Sequence, residues 1–206
     1  MSRVLFLDND AILKLVACHL FWETVAALGS NQENLRVLSD AKYVFKKSRR
    51  VIGKYPEAIR LSAISIVEGC QAIKPEFNPE LPELEIEGID PGERLLISAT
   101  RNESAFYLIT GDKRCLKALA AASQLAEIRE RLQGRVICLE QVIFKLIEIQ
   151  GFEEVLKNVL LGRDYDKALA SVFGSGEWAT EENVLLGLVA YIEDLRQETE
   201  GILASI

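Results

Sequence analysis

Histidine is nearly missing from this chain: His19 is the only one in 206 residues, so a multi-histidine metal centre is excluded. Any metal chemistry falls to oxygen ligands. The four cysteines, Cys18, Cys70, Cys115 and Cys138, are widely spaced and form no CxxC pair, which excludes a clustered zinc site and a disulfide framework and leaves them as small buried hydrophobes. His19 itself sits in an apolar stretch and reads as a packed side chain. No apolar run approaches the roughly 18 residues of a membrane span, and the opening MSRVLFLDND has acids where a signal peptide needs an apolar core. A cytoplasmic protein with no membrane contact is expected. A P-loop, a dinucleotide fingerprint, a serine or cysteine nucleophile motif, an internal repeat and a low-complexity tract are all missing too.

What is present is a globular composition, 49% hydrophobic and 27% charged. The net charge of −7 is concentrated at one end: residues 151–206 hold eleven acids against four bases, which leaves the first 150 residues balanced. The body of the protein therefore need not repel nucleic acid. Composition and charge both change near residue 150, and the chain divides into an α/β domain over residues 1–140 and a helical C-terminal extension over 141–206.

Residues 3–8, RVLFLD, form an apolar run ending in Asp8 and suit a first buried strand. Asp10 can cap the helix that follows, with Ile12, Leu15, Val16 and Leu20 at helical spacing, and a second short helix over 22–30 closes at Gly29. Residues 42–54, KYVFKKSRRVIGK, carry six bases, no acid and two aromatics, and read either as a solvated helix face or as a track for a nucleic-acid backbone. A helix beginning at Pro56 ends with Glu68 in its last turn, where the helix dipole disfavours a carboxylate, so a positive group nearby is expected. Residues 74–88 hold three of the five prolines and read as an irregular connector that borders a site.

Residues 89–119 carry the strongest local signals. Asp90, Pro91 and Glu93 spell a capped helix start, AFYLIT reads as a central parallel strand, and Gly111 turns the chain so that Asp112 falls where the next helix begins. A long helix over 113–132, a short strand RVICL at 135–139 and a wholly helical remainder complete the pattern, with breaks near Gly151, Gly162 and residues 173–178 and with Thr180 capping the last helix.

Asp8, Asp10, Glu68, Glu93 and Asp112 stand out by position. Taken singly, Asp10, Glu93 and Asp112 are ordinary capping acids. A parallel sheet, however, brings Asp8 and Asp112 to one edge, where ligands of open α/β sheets bind. Like charges ~4 Å apart repel by about 4 kcal/mol at an effective dielectric near ~20, so converging acids must share protons or hold a cation. Hard oxygen donors without histidine select Mg²⁺ or Mn²⁺, whose usual chemistry on such carboxylates is hydrolysis at phosphorus.

The segments VLFLDNDAIL, ISIVEG, GERLLISAT and YLITGDKR resemble the acidic motifs of PIN-domain ribonucleases, a family that includes toxins of bacterial toxin–antitoxin pairs. The likeness covers about residues 1–140. It implies a PIN-like three-layer α/β fold with a central parallel sheet flanked by helices. It also implies catalytic acids at Asp8, Glu68, Glu93 and Asp112, with Mg²⁺ or Mn²⁺ on Asp8, Glu93 and Asp112. Asp10 and Thr110 fall where the family has small polar residues beside the acids. Arg101, Lys113 and Arg114, close to the acids in sequence, are candidates for substrate phosphates. The implied function is endoribonuclease action on RNA by a homodimer, with an antitoxin or other protein partner. The sequence departs from the family where some members have another acid soon after the one matching Asp112; Lys113, Arg114, Cys115 and Leu116 follow here.

Two other readings stay open. FLDNDAIL also looks like the DxD strand of haloacid-dehalogenase-type phosphatases, with Asp8 as nucleophile and Asp10 as acid/base, but Ala11 and Ile12 replace the small Gly-Thr pair expected there. A non-catalytic PIN-like binding module, with the acidic tail serving protein partners, is the third.

Overall fold

The structure, a computed structural model, describes residues 3–74 and 78–206. Five strands, β1 (Val4–Leu7), β2 (Leu35–Leu38), β3 (Gln71–Ile73), β4 (Phe106–Ile109) and β5 (Val136–Ile137), form one sheet in the order β3-β2-β1-β4-β5. Every pairing is parallel. Helices flank the sheet to give a three-layer α/β fold, and coverage on both sides explains why every side chain of β1 and β4 is buried rather than alternating. Leu7 lies level with Val37 of β2 and Ile109 of β4, so the chain leaves these three strands at one common edge.

The helices are α1 (Asn9–Ala17), α2 (Phe21–Ala27), α3 (Ala41–Lys47), α4 (Arg49–Lys54), α5 (Glu57–Glu68), α6 (Glu80–Glu83), α7 (Pro91–Ala99), α8 (Lys113–Ala121), α9 (Ala126–Leu132), α10 (Leu139–Gln150), α11 (Phe152–Gly162), α12 (Lys167–Val172) and α13 (Glu181–Glu198). Asp90 and Glu93 form the expected capping box at α7: the Asp90 carboxylate accepts from the Glu93 N–H at 2.8 Å, and the Glu93 carboxylate accepts from the Asp90 N–H at 2.7 Å. Thr180 caps α13 as expected. Three of the cysteines are buried and Cys70 is half-buried.

Several local expectations need correction. β2 and β3 were not anticipated, because LRVL and QAI are too short to show a period of their own and gain their strand character from pairing beside β1. Asp8, not Asp10, occupies the N-cap position of α1, and Asp10 falls in its first turn. The helix expected over 113–132 breaks at Ala122, whose extended backbone and the 3₁₀ turn at Ser123–Leu125 separate α8 from α9. The basic stretch 42–54 is two helices, parted at Ser48, which caps α4. His19 is exposed in the turn after α1 with φ of 54°, not packed. Part of the connector over 74–88 lies outside the described residues; the rest includes α6.

Residues 141–206 are helical for most of their length, and they share one hydrophobic core with the sheet: Leu146, Val155, Leu188 and Leu195 belong to the same buried cluster as Leu5, Ile12 and Leu20. At Gly162 the end of α11 meets the end of α1 so closely that a Cβ would lie 2.6 Å from the Ala17 carbonyl carbon. The chain then returns to the sheet edge, where Leu203 bridges Val136 in parallel and the Ala204 N–H donates to the Val136 carbonyl at 2.7 Å.

Candidate functional site: an acid-floored cavity at the strand ends

The common edge of β2, β1 and β4 opens into a cavity of about 790 Å³. Each element brings an acid to it: Asp40 follows β2, Asp8 and Asp10 follow β1, Asp112 follows β4, and Asp90 and Glu93 stand at the start of α7. Of the acids expected from sequence, Asp8, Asp10, Glu93 and Asp112 therefore face one space. Asp40 and Asp90 were missed as site residues. A signal for Asp40 was present, since LRVLSD, like VLFLD, is an apolar run closed by an acid.

The acids differ sharply in how they are compensated. Asp10 is paired with Lys14 at 2.6 Å, and the Lys54 ammonium stands 3.9 Å away. Asp112 caps α8, accepting from the N–H groups of Arg114 at 2.8 Å and Cys115 at 3.2 Å, and pairs with the Arg114 guanidinium at 2.8 Å. Burial works against its ionisation, but the Arg114 guanidinium and those N–H groups outweigh it and hold its carboxyl below the usual range. Thr110, buried at the end of β4, supports the turn: its hydroxyl oxygen accepts from the Asp112 N–H at 3.1 Å.

Asp8 and Glu93 have no cation of their own among the described residues. Burial, with Asp10 and Asp90 adding repulsion, pushes the Asp8 carboxyl up to about 7. Glu93 is 6% exposed, and burial is again the first cause that lifts its carboxyl, to about 8, joined by the charges of Asp90, Asp112 and Asp8 and opposed by the hydrogen bond from the Asp90 N–H. A cation entering the cavity would relieve both.

The donor set fits a hard divalent cation in its chemistry, carboxylate oxygens of which two belong to acids whose ionisation burial opposes. It is not a finished ligand sphere: among the described residues, no three His, Cys, Asp or Glu side chains converge to hold an ion. Asp8, Glu93 and Asp112 share a cavity wall, and an ion would have to draw their carboxylates together.

Bases ring the mouth. Arg50 and Lys54 come from α4, inside the basic stretch noted in sequence, and Lys167 comes from α12. All three are exposed, and Arg50 and Lys167 form no ion pair among the described residues. Lys113 and Arg114 also line the cavity, but each is engaged: Lys113 with Glu140 at 2.8 Å and over the Tyr191 ring, Arg114 with Asp112.

Two expected site residues lie elsewhere. Glu68, at the end of α5, does not line the cavity and is ion-paired with Lys42, which is the positive group its place in the last turn called for. Arg101 borders a separate groove with Asn78, whose side-chain oxygen it meets at 3.4 Å.

No family model, curated protein or solved structure matches the chain. No helix among the described residues is long and apolar enough to cross a membrane.

Proposed function

We propose that the chain is a PIN-like metal-dependent endoribonuclease that hydrolyses RNA phosphodiester bonds in this cavity. The observation that carries the reading is the pair Asp8 and Glu93, two buried acids with no cation of their own among the described residues, in a cavity that Arg50, Lys54 and Lys167 also line. Asp8, Glu93 and Asp112 would hold the ion. When bound, Mg²⁺ or Mn²⁺ supplies a polarised phosphoryl oxygen and a water of lowered pKa. The chain itself does the rest: Arg50, Lys54 and Lys167 attract and align the phosphates, Thr110 fixes the turn that carries Asp112, and Arg114 holds the Asp112 carboxylate charged. The phosphatase reading is weaker, because its acid/base would be Asp10, whose carboxylate is bound to Lys14.

A homodimer and an antitoxin partner belong to the same proposal and rest on the sequence resemblance, and a cytoplasmic setting belongs with them. The test is Mn²⁺ calorimetry on wild type, Asp8→Asn and Glu68→Gln, followed by cleavage of single-stranded and structured RNA. Binding that falls at least tenfold, about 1.4 kcal/mol, in Asp8→Asn but not in Glu68→Gln supports a cation site confined to the cavity. A folded wild type that binds no Mn²⁺ and cuts no RNA refutes the nuclease and leaves a binding module.

A further inference from the structure

We propose that Asp166, in the segment joining α11 to α12, is a positioning residue for this cavity: through Lys14 it holds Asp10 in place and keeps negative charge there for a cation. The inference rests on the metal-site reading above and assigns the C-terminal segment a working part in it.

Lys14 is 6% exposed, an unusual place for an ammonium. It stands one turn after Asp10 on α1, and its Nζ lies 2.6 Å from Asp10 Oδ2 and 2.7 Å from Asp166 Oδ2. One ammonium shared by two carboxylates leaves the three groups with a net charge of −1. Were Asp166 uncharged, Lys14 would neutralise Asp10 alone, and the Asp10 carboxylate would have little left to offer a metal. Asp10 lines the cavity and Asp166 does not, so Asp166 acts on a bound ion without touching it, through Lys14 and Asp10 and through the field of its charge.

The placement is tightly determined. The other Asp166 oxygen caps α12, accepting from the N–H groups of Ala168 at 2.9 Å and Leu169 at 3.0 Å. Tyr165 stacks on the buried Tyr55, a cavity-wall residue, with ring centres 4.7 Å apart, and Lys167 reaches the mouth. Three consecutive side chains thus back or border the cavity. Lys14 also lies beneath the turn that carries Asp112: a Cβ at Gly111 would stand 3.2 Å from its Nζ. A single ammonium therefore links the turns after β1 and β4 to the C-terminal helices.

The experiment is a Mn²⁺ titration by calorimetry of the full chain as wild type, Asp166→Asn, and the double variant Lys14→Gln/Asp166→Asn, with melting temperatures recorded for each. Asparagine keeps an oxygen for the α12 cap and puts an amide NH₂ in place of the oxygen that accepts from Lys14, so it removes the charge together with that ion pair. Asp166→Asn should weaken Mn²⁺ binding at least ~fivefold, the effect of one charge on a divalent ion ~8 Å away even at the dielectric of water, ~80. In the double variant Lys14 no longer neutralises Asp10, and Lys54 faces it as in wild type, so affinity should return to the wild-type value or exceed it. A merely structural role gives the opposite order, with the double variant the weakest. The inference is overturned if Asp166→Asn binds within twofold of wild type, or if the double variant fails to recover, which also decides the matter should Asp166→Asn alone not fold. No Mn²⁺ binding by folded wild type is a distinct result that removes the metal-site reading and this inference with it.

Discussion

Glu93→Gln should make the metal-free protein more stable at pH 8 and leave it nearly unchanged at pH 5. Glutamine keeps the α7 capping box, because its amide oxygen can accept from the Asp90 N–H as the Glu93 carboxylate does now. What it removes is an ionisable group whose pKa rises from 4.5 unfolded to about 8 folded. A group raised in this way contributes its full stability below the unfolded value and loses it as pH climbs through the folded value. The penalty on wild type therefore grows between about pH 5 and pH 8. Ionising such a carboxyl costs at most ~5 kcal/mol by linkage, and reorganisation of side chains and water brings the expected gain to about 1–3 kcal/mol. At roughly 2–4 °C per kcal/mol for a chain of this size, thermal unfolding in EDTA at the two pH values resolves the effect. Saturating Mn²⁺ should reverse the ranking at pH 8, since it stabilises only the protein that binds it. An equal shift at both pH values, or a lower melting temperature for the variant at pH 8, would refute the electrostatic argument.

Three other outcomes follow from the same structure. Alanine at Arg50, Lys54 or Lys167 should weaken RNA binding and reduce the slope of log affinity against log salt by about 0.7–1 per residue, measured by fluorescence anisotropy; an unchanged slope would place the RNA elsewhere. Gly162→Ala should lower stability by about 2 kcal/mol or more in urea, because its Cβ would lie 2.6 Å from the Ala17 carbonyl carbon and 2.7 Å from the Cys18 nitrogen, with only backbone to move. Thr110→Val should cost about 1–2 kcal/mol by leaving the Asp112 N–H without its acceptor and should weaken Mn²⁺ binding as well; a loss of stability alone would make the hydroxyl a turn support and nothing more.

The sequence was informative wherever one short stretch held all the determinants of a feature. The Asp90–Glu93 box, the Thr180 cap, the all-apolar β1 and β4, and the need for a cation beside Glu68 could each be read within a few residues. β2 and β3 could not, since strands of four and three residues owe their conformation to neighbours far along the chain. The site divides in the same way. Asp8 and Asp112 were placed by the logic of parallel strand ends, whereas Arg50 and Lys167 reach the cavity through tertiary packing, which no spacing in the chain encodes. Sequence proximity misled in the reverse sense for Arg101, which is close to Glu93 along the chain yet borders another groove.

The contrast among the acids of the cavity bears most on function. Asp112 shows that this edge of the sheet can satisfy a carboxylate: a helix N-terminus and one arginine suffice to hold it charged. Asp8 sits at the equivalent point after β1, in the N-cap position of α1, yet it makes no side-chain cap to that helix and has no cation among the described residues, and the N–H groups of Asn9 and Asp10 do not offset its burial. Asparagine or serine would serve that helix as well and without charge. Glu93 does serve its helix, but glutamine would do so equally, again without a charge that burial disfavours. Folding alone accounts for neither acid, because burial opposes the charge of both and a neutral residue of the same shape should give a more stable metal-free protein near pH ~8. The cost falls on two side chains that face one cavity from different elements, and a ligand that removes it from both at once must be positive.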